Sequence, residues 1–182
     1  MIEPAMTPDL DLAAKSPSFM WGQWRNGSLP VLADHSRKKL QLLQDYVILY
    51  LQIVCKNVGG KETQPITFVD GFAGGGAYAG GDFGSPITLL RAVQAAEAAI
   101  NVDRSRKPIR INPTFYFVER EREAFACLEH TLRVSEFAPL IGKSIHLLQG
   151  DFAVHADAIV QGIRQRHPRG GGRTIFFLDQ CG

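Results

Sequence analysis

Residues 68–76 read Phe68-Val69-Asp70-Gly71-Phe72-Ala73-Gly74-Gly75-Gly76, and the stretch runs on through Gly80-Gly81 to Gly84-Ser85-Pro86. An apolar run, Ile66-Thr67-Phe68-Val69, stops at an acid and passes directly into glycines. Continuous rather than alternating β-branched and aromatic residues suit a strand covered on both faces. Glycines immediately behind such a strand let the chain turn sharply and let a ligand approach with no Cβ in the way. A plain surface loop gives no reason for the glycines to begin where a buried strand ends.

Three further runs have the same character: Thr114-Phe115-Tyr116-Phe117-Val118, Ile145-His146-Leu147-Leu148 and Thr174-Ile175-Phe176-Phe177-Leu178. Helical spacing fills the gaps. Leu40, Leu43, Val47, Leu51 and Val54 step by three or four and predict a helix over 36–54, capped by Asp34 or Ser36 and ending before Gly59-Gly60. Ser85 as cap with Pro86 at the first helical position predicts an alanine-rich helix to about Ile100. Phe125, Leu128 and Leu132 mark another near 121–134, and Ile159 with Ile163 a fourth over 153–165. Strand alternating with helix predicts the α/β class: a Rossmann-like, mostly parallel sheet flanked by helices. Residues 1–35 read as an irregular N-terminal segment, rich in proline, whose Trp21 and Trp24 are expected to pack on the domain. Residues 36–182 read as the N-terminal part of the Rossmann-like domain, truncated after its fourth strand.

Each strand candidate is followed by an acid: Asp70, Glu119, Asp151 and Asp179. One such acid is an ordinary turn former or helix cap. In an open parallel sheet, however, ligands bind beyond the carboxyl ends of the strands, and four acids in register would meet in one crevice. Gly74, Gly76 and Ala79 fit the dinucleotide pattern G-x-G-x-x-G/A. That pattern requires a helix to start at the loop, with an acid roughly 20 residues further on. The helix start at Ser85-Pro86 and the distant Glu119 do not match. A cationic ligand with a ribose diol suits these acids better, and S-adenosylmethionine is such a ligand.

Bulk properties agree with one globular domain of 182 residues, 45% hydrophobic and 21% charged, with a net charge of +2. The near-balanced charge makes no case for nucleic acid. Local basic clusters do offer one: Arg37-Lys38-Lys39, then Arg104, Arg106, Lys107 and Arg110, then Arg164, Arg166, Arg169 and Arg173. Cys55, Cys127 and Cys181 are too dispersed for a disulfide framework or zinc site, which points to a reducing, cytoplasmic setting. No signal segment and no apolar span long enough for a bilayer are present, so no membrane partner is expected. His35, His130, His146 and His155 show no catalytic spacing.

The glycine segment together with Gly84-Ser85-Pro86 resembles the three-Cys-motif partner proteins, Rossmann-like relatives of class I S-adenosylmethionine-dependent methyltransferases. The resemblance covers roughly residues 20–182. His35 and Tyr46 lie on its first helix, and Phe117-Val118-Glu119-Arg120, Gly150-Asp151-Phe152 and Phe177-Leu178-Asp179-Gln180 follow in order. It implies an S-adenosylmethionine-binding, methyltransferase-like protein acting beside a three-Cys-motif companion protein. It also implies roles. Gly71, Gly74 and Gly76 pass under the methionine and ribose, and Asp70 helps to hold the amino end through the loop, where Phe72 also lies. Glu119 accepts from the ribose hydroxyls, Asp151 meets the adenine amino group with Phe152 against the ring, and Asp179 faces the transferred methyl and the acceptor as the catalytic residue. The fourth motif reads Asp179-Gln180-Cys181-Gly182, without the family's aromatic residue, which argues against methylation of a base nitrogen. Two other readings compete: a non-catalytic module binding a partner or nucleic acid, and a nicotinamide-dependent oxidoreductase.

Overall fold

In a computed structural model of the protein, the described residues are 28–56, 63–102, 104, 107–167 and 172–179. Expectations for Trp21, Trp24, Gly59, Gly60, Gln180, Cys181 and Gly182 lie outside them. The elements run α1 (Asp34–Lys56), β1 (Thr63–Asp70), α2 (Ser85–Asn101), β2 (Arg110–Glu119), α3 (Arg122–Arg133), β3 (Ile145–Gln149), α4 (Phe152–Arg166) and β4 (Arg173–Phe177), with a 3-10 turn at Ala138–Leu140. The four strands form one sheet in the order β3-β2-β1-β4, and every neighbouring pair is parallel. This is a mixed α/β architecture of Rossmann-like type. The chain lays β2 and β3 to one side of β1 and β4 to the other, so the order reverses beside β1.

The sheet has two unequal faces. Ile66, Phe68, Phe115 and Phe117 point to the larger core with Val47 and Leu51 of α1, Leu89 and Leu90 of α2, and Leu128 and Leu132 of α3. Aromatic rings run across the strands: Phe68 stacks on Phe115 at 5.2 Å and on Phe177 at 6.4 Å, and Phe115 on Phe117 at 5.7 Å. Each fully buried phenylalanine contributes roughly 1.5–3 kcal/mol by leaving water. On the other face Val69, Val118 and Ile159 make a smaller cluster under α4, joined by Tyr116, Phe152 and Ile163. Its Thr67 and Thr114 hydroxyls are register partners on β1 and β2 and have no hydrogen-bond partner.

Helix α1 starts at Asp34, so that residue lies inside the first turn, where its carboxylate accepts from Arg37 at 2.9 Å. Its inward side is the expected one. Its outward side is also apolar: Leu42, Tyr46, Leu49 and Ile53 are all more than half exposed. The start of α2 departs from expectation. The cap position is Gly84, in extended backbone, and makes no side-chain cap bond. Ser85 is already helical, which leaves its hydroxyl free for another partner.

Between β1 and α2 the loop folds on itself. Ala77 and Phe83 form an antiparallel bridge, Tyr78 N donates to the Asp82 carbonyl at 2.9 Å, and Gly84 N donates to the Gly76 carbonyl at 2.9 Å. Gly80 and Gly81, with φ of 81° and 85°, make the tip. Ala79 N reaches back to the Pro30 carbonyl at 2.8 Å.

Candidate functional site

Parallel strands end at the same edge, so β1, β2 and β4 deliver Asp70, Glu119 and Asp179 side by side, and Asp151 follows two residues past β3. Backbone bonds tie the tips to one another. Gly71 N donates to the Phe177 carbonyl at 3.0 Å, Ala73 N to the Val118 carbonyl at 2.9 Å, and Gly150 N to the Glu119 carbonyl at 2.9 Å. The four acids therefore share one edge of the sheet, and the glycine loop is laced across it.

Asp70 is 4% exposed. Its Oδ1 accepts from Phe72 N at 3.1 Å, an Asx-type turn that bends the chain at Gly71. Its Oδ2 accepts from the Ser85 hydroxyl at 2.6 Å, which pins the start of α2 to the end of β1. Burial pushes the carboxyl up to about 6 against these two hydrogen bonds, and the neighbouring charges of Glu119 and Asp179 add to the rise. Glu119 is also buried, and burial raises it in the same direction. Its Oε2 accepts from Gly74 N at 2.8 Å and its Oε1 from Glu121 N at 2.7 Å. One carboxylate thus links the glycine loop to the turn leading into α3.

The glycines have separate physical reasons. A Cβ at Gly71 would stand 2.7 Å from Leu178 Cδ2 and 3.2 Å from the Phe152 ring, so backbone there lies directly under two apolar side chains. Gly74 and Gly76 adopt φ of 64° and 74°, the left-handed region that L side chains avoid. Gly76 is also pressed on α3: a Cβ would meet Leu128 Cδ1 at 2.9 Å.

Asp151 caps α4, accepting from Ala153 N at 3.2 Å, and remains exposed. Gly150 before it takes φ of 133°, and the His155 ring reaches back to the Gln149 carbonyl at 3.0 Å. Phe152 is half-buried between the small core and Gly71. Phe72 is 37% exposed. Asp179 is exposed and holds Lys39 Nζ of α1 at 3.0 Å. The structure thus brings together Asp70, Gly71, Phe72, Gly74, Glu119 and Phe152, sets Gly76 behind them against α3, and places Asp151 and Asp179 on the rim.

Two participants escaped the sequence reading. Ser85 was expected to cap α2, yet it serves as the hydroxyl partner of Asp70; the adjoining Gly84 was the available signal, since glycine tolerates the cap position. Lys39 lies 140 positions from Asp179, and no local pattern connects them. Several basic residues find acids close by. Arg37 pairs with Asp34 and Asp82 at 2.9 and 2.6 Å, and Arg110 with Glu97 at 3.1 Å. Cys55 and Cys127 are free thiols, and the described residues contain no group of His, Cys, Asp or Glu able to hold a metal ion. No helix among them is long and apolar enough to cross a membrane. His146 stacks on Tyr116 at 4.8 Å within the sheet, away from the strand tips.

No protein-family model matches the chain, and no curated protein matches it.

Proposed function

We propose that the protein is an S-adenosylmethionine-binding, methyltransferase-like protein whose ligand lies across the tips of β1, β2 and β3. The observation that carries this reading is the acidic edge itself. Asp70, Glu119 and Asp179 stand near enough together that the two neighbours raise Asp70 further. Such an edge favours a ligand with an ammonium and a sulfonium. It opposes a pyrophosphate, which would have to approach the same buried acid at the start of α2.

The groups present fit the cofactor in kind. Gly71 lets the loop pass close beneath Leu178 and Phe152, and the Phe152 ring can lie against an adenine. The outer rim carries Asp151, an exposed carboxylate able to accept from an amino group. Glu119 already orients the loop through Gly74 N, and a ribose diol would compete with or extend that contact. Asp70 acts through the loop rather than by touching ligand, because both of its oxygens are engaged inside it. When bound, S-adenosylmethionine supplies an electrophilic methyl group. The chain would contribute position, and Asp179 a carboxylate that can orient an acceptor or take its proton. Lys39 holds that carboxylate until an acceptor replaces it. A three-Cys-motif companion protein remains the partner implied by the resemblance.

Calorimetry tests the reading. The purified chain is expected to bind S-adenosylmethionine and S-adenosylhomocysteine saturably, with NAD giving no heat. Glu119→Ala should weaken binding by about tenfold or more, near 1.4 kcal/mol. NAD binding without S-adenosylmethionine binding would replace this reading by the oxidoreductase one.

A further inference from the structure

Strand β4 is an edge of the sheet: among the described strands it pairs with β1 alone. One bond tells which of its backbone groups stay open. Gly71 N donates to the Phe177 carbonyl at 3.0 Å, so Phe177 turns its backbone toward β1. Backbone groups alternate sides along a strand. Arg173, Ile175 and Phe177 therefore face β1, while Thr174 and Phe176, with Leu178 just past the strand, face outward. Phe176 is the register partner of Val69, which puts its side chain on the smaller-core face. It is 43% exposed there, and Leu178 is 52% exposed. The charged residues of this stretch stand at its two ends. Arg173 and Asp179 are both exposed, and each lies three positions from Phe176.

A two-fold axis through Phe176 makes this strand complementary to itself. Two antiparallel copies centred there set Phe176 opposite Phe176, Thr174 opposite Leu178, and Arg173 opposite Asp179. The first two kinds of pair involve the outward-facing residues. They fall in the hydrogen-bonded positions of an antiparallel ladder and supply roughly six bonds. Arg173 and Asp179 fall in the other positions, where side chains stand closer, and opposite charges meet there twice. An axis through Ile175 also completes a ladder, but it sets Arg173 opposite Phe177 and matches neither charge.

We propose that the protein pairs with a second copy of itself through β4, antiparallel and centred on Phe176, which joins the two four-stranded sheets into one. The pairing carries a residue to the candidate site. Arg173 of the second copy arrives beside Asp179 at the rim of the strand tips, where Lys39 already stands at 3.0 Å. The arrangement rests on the sheet and holds whatever ligand the site takes.

The test is self-association of the full chain without ligand, read by sedimentation equilibrium. The parent is expected to form dimers. Arg173→Glu and Asp179→Lys each set like charges opposite one another twice, so each alone should weaken dimerisation about tenfold or more. An equimolar mixture of the two variants should recover it as a heterodimer, because every facing pair is again opposite in sign. Both positions are exposed, and circular dichroism verifies that the variants fold. Phe176→Cys reads the register without altering charge: facing Cα atoms about 5.5 Å apart lie within disulfide reach, so mild oxidation should link position 176 to itself, as peptide mapping would identify. Thr174→Cys, which faces Leu178, should give no such self-link. A parent that stays monomeric at about 100 μM would overturn the proposal. So would dimers that both charge variants retain, or a loss that the mixture does not restore. If either charge variant unfolds, the absence of a link at position 176 overturns it instead.

Discussion

At the scale of single residues, the two most constrained glycines make opposite predictions. A methyl at Gly71 meets the outer end of Leu178, which is half-exposed and able to swing aside. Gly71→Ala is therefore expected to cost less than about 1 kcal/mol of stability, while displacing Leu178 and Phe152 enough to weaken S-adenosylmethionine binding; urea melts and calorimetry on one sample separate the two effects. A methyl at Gly76 instead meets buried Leu128 and forces a left-handed backbone. Gly76→Ala should lose about 2 kcal/mol or more in the same melts, from strain and overpacking together. Asp70 makes a pH prediction. Burial pushes its carboxyl from the ordinary 3.8 up to about 6 in the folded state, so the folded state holds the proton more tightly. Stability from this group is thus full below 3.8, falls as pH rises through the window to about 6, and then levels off, a loss of roughly 2–3 kcal/mol at most. Asp70→Asn cannot titrate, so the gap between its melting temperature and that of the parent should widen in the variant's favour from pH 4 to pH 6.5. A parallel course of the two curves would mean that Asp70 is not held as described.

Elements follow local rules more closely than single contacts do, which is why the strands and helices could be read from sequence and the linkage between them could not. All four apolar runs are strands, and their continuous character reflects cover on both faces of β1 and β2. The helical spacing of Leu40, Leu43, Val47 and Leu51 marks the buried side of α1 correctly, because periodicity records which side meets a core. It is silent on the outer row Leu42, Tyr46, Leu49 and Ile53, whose exposure only coordinates reveal. The four acids announced themselves through their position after each strand. Their inequality did not: Asp70 and Glu119 are enclosed by the loop, Asp151 caps a helix and Asp179 meets Lys39, and these differences arise from contacts between distant segments. The small core makes the prediction proper to this scale. Thr67 and Thr114 bury hydroxyls without partners beneath α4, a cost with nothing to offset it. Thr114→Val keeps the shape and removes the polar atom, so it should raise stability by about 0.5–1.5 kcal/mol in thermal or urea melts.

Across the whole molecule, a parallel sheet whose order reverses beside β1 gathers separate stretches of chain at one edge and leaves other surfaces open. Strand β4 pairs with β1 alone among the described strands, and Phe176 and Leu178 beside it are 43% and 52% exposed. An edge strand of this kind invites pairing with another chain. Sedimentation should accordingly show association of the purified chain at micromolar concentration, reduced by Phe176→Lys. The hairpin between β1 and α2 has a different whole-chain meaning. Its two arms are stitched by the Ala77–Phe83 bridge and the closing bond from Gly84 to Gly76, while its tip at Gly80-Gly81 is exposed. Covalent continuity at that tip is then dispensable: the polypeptide could be cleaved there, or opened to accept a foreign peptide or a reporter dye, with both halves still clamped in place. The tip is thus a natural splice point for building a sensor of whatever the loop binds.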